Sequence, residues 1–93
     1  MARIPAQAGK VKAKILVITG ADDPFVPVAQ VNAFADEMTK AGADWQIISY
    51  AGVKHSFTNP EAGSVGNPGI EYNKSADERS WKAMRNFFDD IFV

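Results

Sequence analysis

The sequence predicts an α/β fold in the order strand, helix, strand, helix, with the two strands parallel. Three observations lead to this fold class. Residues 15–19 form a continuous, mostly β-branched run that ends at Gly20, which is typical of a strand buried on both faces. Residues 28–38 carry an apolar stripe at helical spacing, and residues 45–50 form a second strand-like run. A helix between two neighbouring strands favours a parallel pair with a right-handed crossover.

The first helix is expected from about Pro27 to Ala41. Pro27 suits the first helical position, because the N–H that proline lacks would have no partner there in any case. Gly42 is placed to end the helix. The apolar stripe consists of residues three and four positions apart: Val28, Val31, Phe34, Ala35 and Met38.

The second strand, residues 45–50, alternates only partly between apolar and polar side chains, which fits an edge strand. A loop rich in Gly, Asn and Pro follows over residues 51–74, and loops of this length are usually functional or disordered. Ser75 and Glu78 then have the spacing of a capping box, with Ser75 as the N-cap of a helix that runs to about Phe92. The apolar face of this helix is broad: Ala76, Trp81, Met84, Phe87, Phe88 and Ile91.

A length of 93 residues allows one domain, 1–93, in which the basic residues 1–13 are expected to form a lead-in segment. Two parallel strands alone would leave unpaired backbone groups on both edges, and a parallel sheet needs cover on both faces. The first strand has the composition of a central strand. The sequence therefore predicts a piece of a larger parallel sheet with helices on its two faces, or a chain that self-associates through its sheet edge.

Composition excludes several classes of function. Hydrophobic residues make up 46% of the chain and charged residues 23%, which is ordinary for a globular protein. The net charge of -1 gives no reason to expect nucleic acid or an anionic membrane as a partner. The absence of cysteine excludes a disulfide scaffold and a Cys nucleophile within these residues. Without a membrane-length apolar run or a signal peptide, we expect a cytoplasmic protein.

Acidic side chains and the single histidine follow the ends of the two predicted strands. Asp22 and Asp23 come after the first strand, and His55 comes after the second. Neighbouring strands lie about 4.8 Å apart, so groups beyond their carboxyl ends can meet. A carboxylate that accepts from imidazole Nδ1 leaves Nε2 free as a general base. Taken separately, the Asp pair is an ordinary turn sequence and the His an ordinary surface residue, so only their joint placement predicts a site.

The residues around this pair resemble a known family. GADDPFVP at 20–27 is followed, 32 residues after Asp23, by His55 within GVKHSF at 52–57. Together they resemble the C-terminal third of the α/β-hydrolase fold, and most closely the dienelactone hydrolase family. Further matching pairs follow along nearly the whole chain: Asn59-Pro60, Tyr72-Asn73, Ser80-Trp81 and Phe87-Phe88.

The resemblance implies an ester or lactone hydrolase that needs neither a metal nor an organic cofactor. It assigns the catalytic acid to Asp23 and the catalytic base to His55, with Asp22 at a variable position. The family's nucleophile is a Cys or Ser in a Gly-x-Cys/Ser-x-Gly turn upstream of the acid. The 93 residues contain no such turn and no Ser or Cys before Asp23. We therefore expect the isolated chain to be inactive, a fragment that carries the acid and the base.

Other interpretations stay open at this point. The serines after Asp23 are poor replacement nucleophiles, since Ser49 lies in a strand, Ser56 adjoins the histidine and Ser75 is the expected cap. The chain could be a non-catalytic module that self-associates through its sheet edge. A strand followed by two Asp residues is also similar to the Mg²⁺ site of receiver domains, although that fold needs more strands. A zinc site is poorly supported with one His and no Cys.

Overall fold

A computed structural model describes residues 12–92 of the chain. Most of the predicted lead-in segment, residues 1–11, lies outside the described residues. The expected order of strand, helix, strand, helix is confirmed, and each boundary lies within one or two residues of its expected place. The elements are β1 (Lys14–Gly20), α1 (Val28–Lys40), β2 (Asp44–Tyr50), a short 3₁₀ helix (Ala62–Val65) and α2 (Lys74–Ile91).

The two strands form a parallel sheet, as predicted from the helix between them. Their register runs from Lys14 opposite Asp44 to Gly20 opposite Tyr50. Within residues 12–92, β1 pairs with β2 alone, so its other edge carries no strand there. The two strands end side by side, and the loops that follow them therefore leave the sheet at the same edge.

The two helices cover opposite faces of this sheet, as expected. On the α1 face, the Trp45 indole donates to the Thr39 hydroxyl at 3.0 Å. On the α2 face, the Arg79 guanidinium lies 4.6 Å from the centre of the Tyr50 ring, within range of a cation–π contact. Trp45 and Tyr50 can point to opposite faces because they are an odd number of residues apart in one strand. The buried core on the α2 face consists of Tyr50, Val53, Phe57 and Ala76, with Ile18 and Ile48 packed against it.

Helix α1 begins one residue later than expected. Pro27 is its N-cap, with extended backbone at φ -68° and ψ 158°, and is not its first helical residue. The carbonyl of Pro27 still accepts from Gln30 and Val31, so the proline closes the first turn from outside the helix. Gly42 follows the C-cap with a φ of 75°, the left-handed conformation that commonly ends a helix.

The predicted cap of α2 is wrong. The side chain of Asn73, two residues before Ser75, accepts from the Ala76 N–H at 2.9 Å. Ser75 lies inside the helix, where it is exposed. Both residue types suit an N-cap, and Asn73 occupies the position because its own backbone N–H donates to the Phe57 carbonyl at 3.0 Å. That bond ties the start of α2 to the loop after β2.

The long loop between β2 and α2 has defined structure. It contains the 3₁₀ helix, and His55 pairs with Ile70 in a single parallel bridge. No helix in the described part of the chain is long and apolar enough to cross a membrane.

Candidate active site

The loop that follows β1, residues 20–27 and here called the acid loop, holds Asp23 in a fixed orientation. One carboxylate oxygen, Oδ1, accepts from the backbone N–H of Phe25 at 2.8 Å and of Val26 at 3.3 Å. The Asp23 N–H donates to the Gly20 carbonyl at 3.1 Å, which closes the turn. Asp23 is only 8% exposed. Local backbone bonds thus engage one oxygen and leave the other, Oδ2, to contact a neighbour.

The loop that follows β2, residues 51–58 and here called the histidine loop, is bound directly to the acid loop. Ala21 donates its N–H to the Tyr50 carbonyl at 2.8 Å, and Asp22 donates to the Val53 carbonyl at 2.9 Å. These bonds continue the contact between the strands past the end of the sheet. The relative position of the two loops is therefore set by backbone bonds next to a buried core.

Asp23 and His55 meet across these loops. The Asp23 Oδ2 and His55 Nδ1 atoms are 2.9 Å apart. An ionised carboxylate can only accept, so Nδ1 carries the proton and Nε2 is the nitrogen that can accept one. The Asp23 side chain is 7% exposed and the imidazole 40% exposed. The pair thus has a buried anchor and an imidazole edge that a reactant can approach.

The imidazole is held on its other sides as well. The Phe25 ring lies against it, with the ring centres 4.9 Å apart and the planes 56° from parallel. The His55 N–H donates to the Gly69 carbonyl at 3.1 Å, and the His55 carbonyl accepts from Glu71 at 3.2 Å. Ser56 has a φ of 58°, a left-handed conformation that is unusual for a residue with a side chain. The chain thus turns sharply as soon as it has placed the histidine.

A largely apolar hollow of about 310 Å³ adjoins the pair. Thr19, Val26, Phe57 and Thr58 line it together with Asp23 and His55. Apolar walls with a few polar groups are typical of sites for small organic molecules. In the part of the chain that the structure describes, no cluster of three or more His, Asp or Glu side chains has the arrangement of a metal site.

Comparison with known proteins identifies the family. The sequence profile of the dienelactone hydrolase family matches residues 3–92. The chain belongs to this family. It is 37% identical over 79 residues to the uncharacterized protein K02A2.1 of Caenorhabditis elegans, a match that covers 85% of this chain and 50% of that protein. The chain thus spans about half the length of this curated relative.

Two solved structures are similar to this chain of the dienelactone hydrolase family. One is the dienelactone hydrolase-like promiscuous phosphotriesterase P91 from metagenomic libraries, with a TM-score of 0.83 and 43% identity. The match covers 89% of this chain and 35% of the P91 chain. The other, named m3DLH, has a TM-score of 0.86 and 40% identity. That match covers 92% of this chain and 36% of the m3DLH chain.

The structure brings together the two residues that the dienelactone hydrolase resemblance selected. Asp22, the other candidate by spacing, is exposed and takes no part in the contact. Within residues 12–92, the bonded partner of the imidazole is Asp23, and no serine hydroxyl bonds to it. Sequence reasoning did not find Phe25 or Gly69 as neighbours of His55. The Phe25 contact follows from the tight turn after Asp23, whereas nothing in the sequence pairs position 69 with position 55.

Proposed function

We propose that this chain is the acid- and base-bearing part of an ester or lactone hydrolase. The observation that carries the proposal is the 2.9 Å contact between Asp23 Oδ2 and His55 Nδ1. A buried carboxylate that orients an accessible imidazole is the arrangement that activates a hydroxyl or thiol nucleophile. Family membership supports the same chemistry.

In the proposed reaction, His55 Nε2 takes the proton from a Ser or Cys nucleophile as its oxygen or sulfur attacks the carbonyl carbon of the substrate. The imidazolium then gives that proton to the leaving alkoxide, and an acyl-enzyme remains. Water then attacks this acyl-enzyme with His55 again as the base. This step releases the carboxylic acid product and regenerates the nucleophile. Asp23 stays ionised throughout and stabilises the imidazolium through Nδ1–H.

The nucleophile is supplied, in this proposal, by a segment outside the 93 residues. The Gly-x-Cys/Ser-x-Gly turn of the fold does not occur in the sequence, and no Ser or Cys precedes Asp23. Loss of the nucleophile costs on the order of 10⁶ in rate in a serine hydrolase. The isolated chain is therefore proposed to hydrolyse no ester, although it carries the acid and the base.

A chimera tests this function. The chain replaces the matching 35% of phosphotriesterase P91, and hydrolysis of p-nitrophenyl esters and of an aryl lactone is measured. We expect the chimera to be active, its His55→Ala variant to be inactive, and the isolated chain to show no turnover that depends on His55. A folded but inactive chimera would contradict the proposal, and so would turnover by the isolated chain that disappears in His55→Ala.

Phosphotriesters form a second substrate class to test in the same chimera. P91 is described as a promiscuous phosphotriesterase and is 43% identical to this chain over the matched region. The proposed base would serve equally for attack at phosphorus, because it takes its proton from the nucleophile whichever atom of the substrate that nucleophile attacks. Ester turnover without triester turnover would restrict the proposed substrates to carboxylic esters and lactones.

Self-association is the second candidate function, in which the chain acts as a non-catalytic module. It is favoured by apolar side chains that α2 leaves exposed, since Trp81 is 56% exposed and Phe88 44%. Within residues 12–92, one edge of β1 also pairs with no strand. Such exposed aromatic surface favours association. Light scattering tests it. We expect a dimer that Trp81→Lys dissociates and that Val65→Lys, at a site on the 3₁₀ helix that is 65% exposed, leaves intact. A monomeric wild-type chain would dismiss this candidate.

A further inference from the structure

Three loops surround the Asp23–His55 pair, and the third of them is joined to both of the others. The acid loop carries Asp23 and the histidine loop carries His55. Residues 66–71, here called the rim loop, run beside the histidine in the parallel bridge between His55 and Ile70. The Lys54 ammonium and the Glu71 carboxylate, 3.5 Å apart, lie at the end of this bridge.

Gly69 is the residue where the rim loop meets both loops. Its carbonyl accepts from the His55 N–H at 3.1 Å, so it holds the histidine backbone directly. On its other side it faces Pro24, the residue after Asp23. A Cβ placed on Gly69 would stand 2.5 Å from Pro24 Cγ and 3.2 Å from Cδ. No ordinary carbon–carbon contact is that short, so the two loops approach this closely only because position 69 has no side chain.

The rim loop has little freedom to change its shape at Gly69, and its bonds to His55 tie it to the histidine loop. The Gly69 N–H donates to the Asn67 side chain at 2.8 Å, and the Ile70 N–H donates to the Asn67 carbonyl at 3.0 Å. The Pro24 ring cannot rotate away as a flexible side chain could, because it is closed onto its own backbone nitrogen next to the buried Asp23. A side chain at position 69 must therefore push the acid loop and the histidine apart.

We propose that Gly69 is a positioning residue that sets the distance between Asp23 and His55. It touches neither side chain and acts through the Pro24 ring on one side and the His55 backbone on the other. Its importance for hydrolysis rests on the proposed function, whereas its effect on the pair does not. An outward shift of the acid loop would lengthen the 2.9 Å contact and release the imidazole from its orientation. Misplacement of a catalytic group by about 1 Å can cost ~10²-fold in rate.

Gly69→Ala tests the proposal, with Gly63→Ala as its matched control. A Cβ on Gly63 would meet nothing within 4 Å, and Gly63 does not have the positive φ that disfavours alanine. The readout is the imidazole Nδ1 proton in the NMR spectrum of the 93-residue chain, which is unambiguous because His55 is the only histidine. We expect this resonance in the wild type and in Gly63→Ala, and its loss in Gly69→Ala.

A second substitution separates positioning from a general loss of stability. Pro24→Ala removes the Cγ and Cδ atoms that the new methyl group would strike, so the Gly69→Ala/Pro24→Ala double variant should recover the Nδ1 resonance. In the chimera with P91, Gly69→Ala should lower kcat by ~10²-fold with little change in KM. Retention of the resonance in Gly69→Ala, or no recovery in the double variant, would overturn the positioning role. Failure of the proposed function would instead show as a chimera that stays inactive while the resonances change as described.

Discussion

Gly20 lies against the carbonyl group of Val53 with no room for a side chain between them. A Cβ on Gly20 would stand 2.7 Å from the Val53 carbonyl carbon and 2.9 Å from the Lys54 carbonyl oxygen. Val53 is buried in the core and cannot retreat. This contact brings the end of β1 against the histidine loop, so the acid and the base emerge from one rigid corner of the sheet.

Gly20→Ala should therefore destabilise the protein strongly. The new methyl group meets backbone, which cannot rotate away as a side chain could, and overpacking of this kind costs about 1–3 kcal/mol or more. Urea unfolding measures the loss. Gly63→Ala, at a site with open space around it, should change the free energy of unfolding by less than about 0.5 kcal/mol. Equal stabilities for the two variants would contradict the close packing at Gly20.

Substitution by Asn at Asp22 and at Asp23 should affect hydrolytic activity very differently. Asp23→Asn removes the charge that holds the imidazole, and an amide can donate to Nδ1 and stabilise the wrong tautomer. Such a change lowers kcat about 10⁴-fold in a Ser-His-Asp hydrolase. We expect a loss of this order in the chimera with P91, measured on p-nitrophenyl esters. Asp22→Asn, at an exposed position outside the contact, should keep activity within about twofold. Similar losses in both variants would argue against Asp23 as the catalytic acid.

The parts of the fold that follow from local pattern could be predicted from the sequence. The β-branched run of β1 and the apolar stripe of α1 each predict an element, and the helix between the neighbouring strands favours a parallel pair. Parallel strands that end at one edge then bring Asp23 and His55 together. Spacing alone left Asp22 and Asp23 as alternatives, and the family resemblance selected Asp23. The structure shows that the second carboxylate of the pair is the one turned inward by the Phe25 and Val26 N–H groups.

Contacts made by loops could not be predicted in the same way. The Ser75–Glu78 spacing is that of a capping box, and it predicts Ser75 as the cap of α2. Asn73 is the cap instead, because its backbone bond to Phe57 places it at the start of the helix. No local sequence pattern reveals that bond. The close approach of Gly69 to Pro24 could not be predicted from local pattern either, because it depends on how two loops distant in sequence pack against each other.

Asn73→Ala tests the corrected helix start. It removes the side-chain acceptor for the Ala76 N–H and should lower the free energy of unfolding by about 1 kcal/mol. Ser75→Ala should leave stability unchanged or slightly raised, because Ser75 lies in the helix and alanine is the better helix former. Thermal and urea unfolding of the two variants measure the difference. A larger loss in Ser75→Ala than in Asn73→Ala would restore Ser75 as the cap.

Tyr72 should make the stability of the folded protein depend on pH in the alkaline range. Its hydroxyl donates to the Asp77 carboxylate at 2.9 Å. That bond raises the pKa of the Tyr72 phenol, and burial and the negative charges of Asp77 and Glu78 act in the same direction. The folded state thus holds the phenol proton more tightly than the unfolded state. The resulting stabilisation is fully present below the ordinary tyrosine pKa of about 10 and is lost as the pH rises through the raised value.

Two variants isolate this effect. In Asp77→Asn the pKa of the Tyr72 phenol should fall back towards its ordinary value, which NMR of carbon-labelled tyrosine measures. In Tyr72→Phe the free energy of unfolding should decline less steeply above about pH 10 than in the wild type, because the phenol proton no longer contributes. The Tyr50 ring, which contacts Arg79, shows in the same spectra whether the fold is unchanged in Asp77→Asn. A Tyr72 titration that Asp77→Asn does not move would show that the hydrogen bond is not the cause of the raised pKa.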